Sequence, residues 1–242
     1  MNEPVSTLAS PPGDEQLESP SGHQISASAQ DYARAIFSLT SGNVRPTSTS
    51  AVADRLGVTA GSVSTMLKRM NSAGLAEHVP YRGVLLTDAG VKLALRVIRR
   101  HRLLEAFLAK SLGIPWEGVD RFADALEHAA SDELISRIAA KLGDPTADPH
   151  GDPIPTDELV IKPSPHHPTL ADLEPGQRAR IVRVSDSNPD MLKFLTEQQI
   201  GIGTKVQLVS KQPFDGPCEL LIERRPHTLG AQVARTVQVE IV

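Results

Sequence analysis

"STSAVADRLGVTAGSVSTMLKRMNSAGL", residues 48–75, is the stretch on which the fold turns. Its apolar positions form two helical sets, Ala51, Val52 and Leu56, then Val63, Leu67 and Met70. Between them stands "GVTA", a glycine turn followed by a threonine able to cap a second helix. The spacing predicts helices over 48–56 and 60–72, the second stopped by "SAG". This is a helix–turn–helix. The outer face of the second helix offers Ser62, Ser64 and Thr65, small hydroxylated side chains that fit a major groove. Thr59, Gly61, Lys68 and Arg69 complete the expected DNA-facing set on that helix. The competing reading is a three-helix scaffold used for protein contacts.

Immediately downstream, "LAEHV" and "GVLLT" read as two short strands joined by "PYR", a wing that carries Arg82 at its tip. From Arg45 to Thr87 five Lys/Arg stand against two acids, a local +3 within a chain of net charge −4. The basic patch a DNA-binding module needs is therefore local. Upstream, "SAQDYARAIFSLT" puts Tyr32, Ala33, Ile36, Phe37 and Leu39 on one apolar stripe with a serine as cap. Residues 1–25 mix Pro, Ser, Gly and acids without periodicity and are expected to be disordered.

After the wing, Thr87 or Asp88 caps a long helix over 88–112, followed by a helix near 116–129 and, after a Ser131 cap, another through "DELISRIAAKLG". Residues 144–168 contain seven prolines and are expected to be a linker. Beyond them "QRARIVRVS", "TKVQLVS", "CELLIE" and "TVQVEIV" are short, alternating and β-branched, the pattern of a small barrel-like β domain. The fold class is thus mostly α at the front and all-β at the back.

Forty per cent apolar content with 3% aromatics calls for a core of Leu, Ile, Val and Ala. The single cysteine, Cys218, rules out an internal disulfide and a cysteine-built zinc site, and its apolar strand context makes it a core residue. No Lys or Arg precedes Arg34 and no apolar run approaches a membrane span, so a cytoplasmic protein without membrane partners is expected. Neither a phosphate loop, nor a nucleophile elbow, nor H-E-x-x-H is present, which argues against an enzyme and a small-molecule substrate.

The chemistry gathers in "DRFADALEHAASDEL", residues 120–134. Asp120, Asp124, Glu127 and His128 recur at i, i+4, i+7 and i+8, so three carboxylates and an imidazole share one helix face. A solvated acidic face would explain the charge alone. Two further features point to a metal: "RRHRLLEAF" places His101 and Glu105 at i, i+4 on the preceding helix, and Asp31 stands near the start of the first. A divalent cation would relieve repulsion among these acids. His23, His150, His166 and His167, in tail or linker, together with His78 and His227, read as solvated polar residues.

Taken together, "QDYARAIFSL", the helix–turn–helix, "YRGVLLTDAG", "RRHRLLEAFL" and "ALEHAASDEL" resemble the diphtheria toxin repressor family of metal-activated bacterial regulators. The tail "LADLEPGQRARIVRVSDSNPDMLKFL…GIGTKVQLV" is similar to that family's SH3-like (FeoA-like) domain. The resemblance covers about 215 of 242 residues. It implies a winged DNA-binding domain over 26–90, a helical metal-binding and dimerisation domain over 91–143, and an SH3-like domain over 169–242. It also implies two metal sites per subunit. Asp31, Asp124, Glu127 and His128 fall at the primary site, and His101, Glu105 and Asp120 at the ancillary one. Ligand positions in the SH3-like domain fall near Asn188 and Met191, with Asp190 between them as the alternative.

The family's iron-responsive members carry sulfur where this chain has Asp31 and Asp124. Oxygen donors favour Mn²⁺, with Fe²⁺ as the alternative. Short manganese-responsive members use a Glu where Arg34 stands here, so two separated sites are expected rather than a close metal pair. The implied function is a metal-dependent repressor controlling metal homeostasis, acting as a homodimer on an inverted-repeat operator.

Overall fold

The computed structural model describes residues 25–162, 165–185 and 188–242, so the tail expected to be disordered lies almost wholly outside the described residues. The described residues form two compact units, one drawn from residues 25–97 with 130–134 and the other from residues 98–129 with the described part of 135–242.

In the first unit, α1 (Ala27–Leu39), α2 (Thr49–Leu56) and α3 (Ala60–Ser72) each begin at a hydroxyl cap. Ser26, Ser48 and Thr59 accept from the backbone N–H of Ala29, Ala51 and Ser62, satisfying donors a helix start leaves open. Gly57 closes α2 in the left-handed region at φ 64°, which a side chain would resist, and so turns the chain into α3. Val52 and Val63 are fully buried in a core with Tyr32, Ile36, Met70, Leu86 and Leu93. Burying each valine contributes about 1.5–3 kcal/mol.

The wing is an antiparallel pair, β1 (Ala76–Val79) and β2 (Gly83–Leu86), in register Ala76↔Leu86 to Val79↔Gly83. Gly83, at φ 113°, lets β2 lie against Thr47; a Cβ there would stand 1.9 Å from the Thr47 carbonyl oxygen. Thr87 caps α4 (Asp88–Leu112), its hydroxyl accepting from Gly90 N–H and donating to the Gly74 carbonyl.

In the second unit, α4 continues from Ile98, followed by α5 (Trp116–Glu127) and most of α6 (Asp132–Leu142). Then come β3 (Arg178–Val184), α7 (Pro189–Glu197), β4 (Lys205–Lys211), β5 (Cys218–Ile222), β6 (Arg225–Leu229), α8 (Ala231–Ala234) and β7 (Val237–Ile241). All pairings are antiparallel, in the order β6-β5-β4-β3-β7, an open sheet. Irregularities at Ile181/Arg183 and Leu208/Ser210 bend it. Its inner face buries Ile181, Leu208, Leu220, Val239 and Cys218 with Leu192 and Leu195 of α7.

The sequence reading has neither α7 nor β6. Asn188 caps α7 ahead of Pro189, but turn-like "SDSNPD" conceals the start. Pro226 argues against a strand; β6 is tolerated because it is the sheet edge.

Residues 144–168 also differ from a plain linker. Residues 146–155 form a loop packed on β3: the His150 carbonyl accepts from Val184 N–H, and Gly151, at φ 87°, comes so close that a Cβ would sit 2.1 Å from the Val182 carbonyl oxygen. Asp148, His150 and Asp152 are buried. The reading of His150 as a solvated residue is therefore corrected: prolines here stiffen a packed loop instead of extending a free one.

Candidate metal centre

On α4, one helical turn separates His101 from Glu105, and both are buried. The α5 face brings Asp120, Asp124 and Glu127 toward them, with His128 as the residue that ends the helix. His101 stands between two groups of acids. Its Nε2 lies 3.3 Å from Asp120 Oδ1 and 3.5 Å from Glu105 Oε1, while its Nδ1 lies 2.7 Å from Glu127 Oε2 and 3.4 Å from Asp124 Oδ1. His128 Nε2 is 3.5 Å from Glu127 Oε1. The expected ancillary residues His101, Glu105 and Asp120 thus converge, and Asp124, Glu127 and His128 cluster beside them. Asp31 is half-buried on α1 in the first unit.

The packed loop adds two residues. Asp148 Oδ1 accepts from the N–H groups of His150 and Asp152, a local turn that spends that oxygen. His150 Nδ1 lies 3.8 Å from Glu105 Oε1 and 3.9 Å from Asp148 Oδ1. Both Glu105 oxygens, Asp148 Oδ2 and His150 Nδ1 are buried without a hydrogen-bond partner among the described residues. Leaving one such atom unsatisfied costs about 1–3 kcal/mol, so a water or a cation beside them would stabilise the fold. Glu105, Asp148 and His150 each offer a donor atom within 4.8 Å of the others. Hard cations hold oxygen ligands at about 2.0–2.6 Å, so opposed ligands stand about 4–5 Å apart. The donors fit such an ion.

Electrostatics agree. Burial lowers the His101 pKa, but the carboxylates of Asp120, Glu105 and Glu127 that face its ring nitrogens outweigh it and push it up to about 11. Burial, then the charges of Asp152 and Glu105, push Asp148 up to about 7 against the opposing pull of Arg102 and His150. The His101 shift reports the negative charge around its ring, and the Asp148 shift reports burial first and neighbouring negative charge second. Arg102 supplies part of the compensation, with Nε 3.6 Å from Asp148 Oδ2, a hydrogen bond to Asp152 Oδ1 at 3.3 Å and one to the Pro153 carbonyl at 2.6 Å. Arg183 of β3 also pairs with Asp152.

Residues of the β domain do not join these clusters among the described residues. Asp190 is exposed in the first turn of α7, Asn188 caps that helix by accepting from Met191 N–H, and the Met191 sulfur accepts from the Thr236 hydroxyl. The residues missed by sequence reasoning are Asp148 and His150. Their signal is "DPHGD", acid, His and acid at alternate positions in a Pro/Gly frame that restricts the loop.

In the winged module, Thr59, Gly61, Ser62, Ser64, Thr65, Lys68, Arg69 and Arg82 are all exposed, as a DNA-facing set must be. Ser64 and Thr65 donate to the Ala60 and Gly61 carbonyls, leaving their lone pairs outward. No helix among the described residues is long and apolar enough to cross a membrane.

Comparison with known proteins agrees along the chain. Residues 24–84 match the iron dependent repressor N-terminal DNA-binding domain, 87–156 its metal-binding and dimerisation domain, and 169–241 the FeoA domain. The iron-dependent repressor IdeR of Mycobacterium tuberculosis is 37% identical over 135 residues, 55% of this chain; the chain spans only 58% of that relative's length. The diphtheria toxin repressor of Corynebacterium diphtheriae is 30% identical over 218 residues, covering 86% of this chain and 95% of that protein. A solved manganese-dependent transcriptional repressor in complex with manganese superposes with a TM-score of 0.80 at 35% identity, over 88% of this chain and all of that one. With winged module, acidic centre and β domain each matched in chain order, the protein belongs to the iron-dependent (diphtheria toxin) repressor family.

Proposed function

We propose that this chain is a metal-activated transcriptional repressor in the cytoplasm, binding an inverted-repeat operator as a homodimer, with Mn²⁺ as its cation and Fe²⁺ as the second candidate. The observation that carries the reading is the buried trio Glu105, Asp148 and His150 with its four unsatisfied donor atoms. A divalent cation bound there would supply the positive charge these carboxylates lack.

Two cation positions per subunit are proposed. Glu105, Asp148 and His150, with Asp120 and His101 Nε2, would hold one. While Nε2 faces that position, the His101 Nδ1 proton can stay on Glu127, the outer hydrogen bond that orients a ligating imidazole. Asp124, Glu127 and His128 would hold the other, and the family resemblance adds Asp31. Every donor is oxygen or nitrogen, and the chain's one cysteine is buried in the β-domain core. That set suits Mn²⁺ and reduces the advantage of softer, later metals. Fe²⁺ is retained because curated relatives are named iron-dependent repressors.

On the DNA side, the exposed face of α3 would enter the major groove and Arg82 on the wing would meet the backbone. For the dimer, Leu93, Val97, Leu104, Leu108, Ile135 and Ile138 are buried within the subunit and are not available to a partner. Phe122 and Leu126 on α5 and Leu134 on α6 stay exposed, and these are proposed to face the second copy.

The test is a gel shift on promoter DNA upstream of the gene, in EDTA and in Mn²⁺. Mn²⁺ is expected to tighten binding by a factor on the order of 5–150, and DNA to tighten Mn²⁺ binding by the same factor. Equal affinity in EDTA would overturn the reading. In the same assay Lys68→Ala is expected to weaken binding to every sequence alike and to lower the salt slope by about 1.

A further inference from the structure

The chain has one tryptophan, Trp116, which adjoins the candidate metal centre through His150 and whose indole offers no ligand for an ion. It opens α5. Its main-chain carbonyl lies 2.9 Å from His150 Nε2, within hydrogen-bond distance. Its indole stacks on the His150 imidazole, ring centres 5.8 Å apart and planes 16° from parallel. The same indole packs against the β-domain core, and its Nε1–H donates to Thr196 Oγ1 of α7 at 2.7 Å. The Thr196 proton is spent on the Leu192 carbonyl at 3.1 Å, which leaves a lone pair for the indole.

A carbonyl can only accept, so the proton of neutral His150 must sit on Nε2 and the lone pair on Nδ1. Nδ1 is the atom aimed at Glu105 and Asp148. A flipped ring or the other tautomer would present an N–H to the cation position and remove a ligand. The carbonyl of Trp116 therefore selects the tautomer, and its ring fixes the plane. What fixes Trp116 is the β domain.

We propose that Trp116 is a positioning residue of the metal centre and that the β domain acts on the centre through it, Thr196 holding the indole that holds His150. This rests on the reading of Glu105, Asp148 and His150 as a cation site. The β domain then tunes cation affinity without donating a ligand of its own.

The test measures Mn²⁺ binding to the full chain by calorimetry for wild type, His150→Ala, Thr196→Val, Thr196→Ser, Trp116→Phe and the Trp116→Phe/Thr196→Val double variant. Thr196 is exposed, so its valine variant leaves the fold intact. Loss of an outer-shell partner costs roughly 10–100-fold in affinity; about 10-fold is expected for Thr196→Val and for Trp116→Phe. Thr196→Ser is expected to restore wild-type affinity, and the double variant to bind no worse than either single one, because both remove one hydrogen bond. Imidazole nitrogen resonances of the metal-free protein should show His150 wholly as the Nε2–H tautomer in wild type and mixed in Thr196→Val.

Wild-type affinity in both single variants, while His150→Ala loses one Mn²⁺, overturns the positioning role alone. Equal losses in the valine and serine variants overturn it too. Unchanged stoichiometry and affinity in His150→Ala overturn the cation site and the positioning role together.

Discussion

Glu105→Gln is expected to abolish tight Mn²⁺ binding and, with it, Mn²⁺-dependent DNA binding, while raising the stability of the metal-free protein. Opposite signs follow from one fact: Glu105 is fully buried and neither carboxylate oxygen has a hydrogen-bond partner among the described residues. With a cation present those oxygens are ligands. An amide in their place is neutral and offers one weak donor oxygen, so affinity should fall by more than the roughly 10–100-fold that loss of an outer-shell partner costs. Without a cation the carboxylate is a buried charge near Asp148, offset only in part by His101, whose Nε2 lies 3.5 Å from Glu105 Oε1. Glutamine has the same shape, removes the charge, and its N–H can donate to Asp148 Oδ2 or His150 Nδ1, both unsatisfied. Asp120 and Glu127 still hold the His101 proton. A gain of about 1–3 kcal/mol is expected from urea unfolding in EDTA, the cost of groups left unsatisfied. A loss of metal-free stability with Mn²⁺ affinity intact would show that Glu105 is structural.

How far such a centre could be read from sequence depended on whether its residues sit on regular elements. His101 and Glu105, and Asp120, Asp124 and Glu127, lie at i+4 or i+7 on helices, where period alone puts side chains on one face. The convergence of those two faces is inferred from charge, acids on separate helices that a shared cation would reconcile, and the family resemblance adds the division into two sites, since no local rule sets how α4 meets α5. Asp148 and His150 stayed hidden because prolines carry two meanings. They forbid helix and interior strand, which reads as linker, but in a loop tied down by Gly151 and Val184 they give rigidity. The winged module was legible nearly to the residue, since Ser48, Thr59 and Gly57 mark its ends chemically. The β domain was legible as strands but not as topology: β6 is an edge strand containing Pro226, and α7 begins within a turn-like run.

Arg102→Met is expected to destabilise the metal-free protein by about 3–5 kcal/mol, the scale for stripping one partner from a buried ion pair. Arg102 answers two buried carboxylates, Asp148 and Asp152, and donates to the Pro153 carbonyl. Asp152 retains Arg183. Asp148 does not have that reserve, so the loss concentrates there. The deficit should depend on pH, with a sign set by linkage. Asp148 already titrates at about 7 in the folded protein, raised by burial and by the Asp152 and Glu105 charges, while Arg102 lowers it. A carboxyl raised on folding binds more protons in the folded state, so its contribution to stability falls as pH climbs from the ordinary carboxylate range through the folded value. Removing Arg102 raises that value further and prolongs the fall. The gap between wild type and Arg102→Met should therefore be small near pH 5, where Asp148 is protonated in both folded proteins, and widest above pH 8. Urea unfolding in EDTA across that range measures it, and a gap constant with pH would place the role of Arg102 in packing and the Pro153 contact, not in the charge of Asp148.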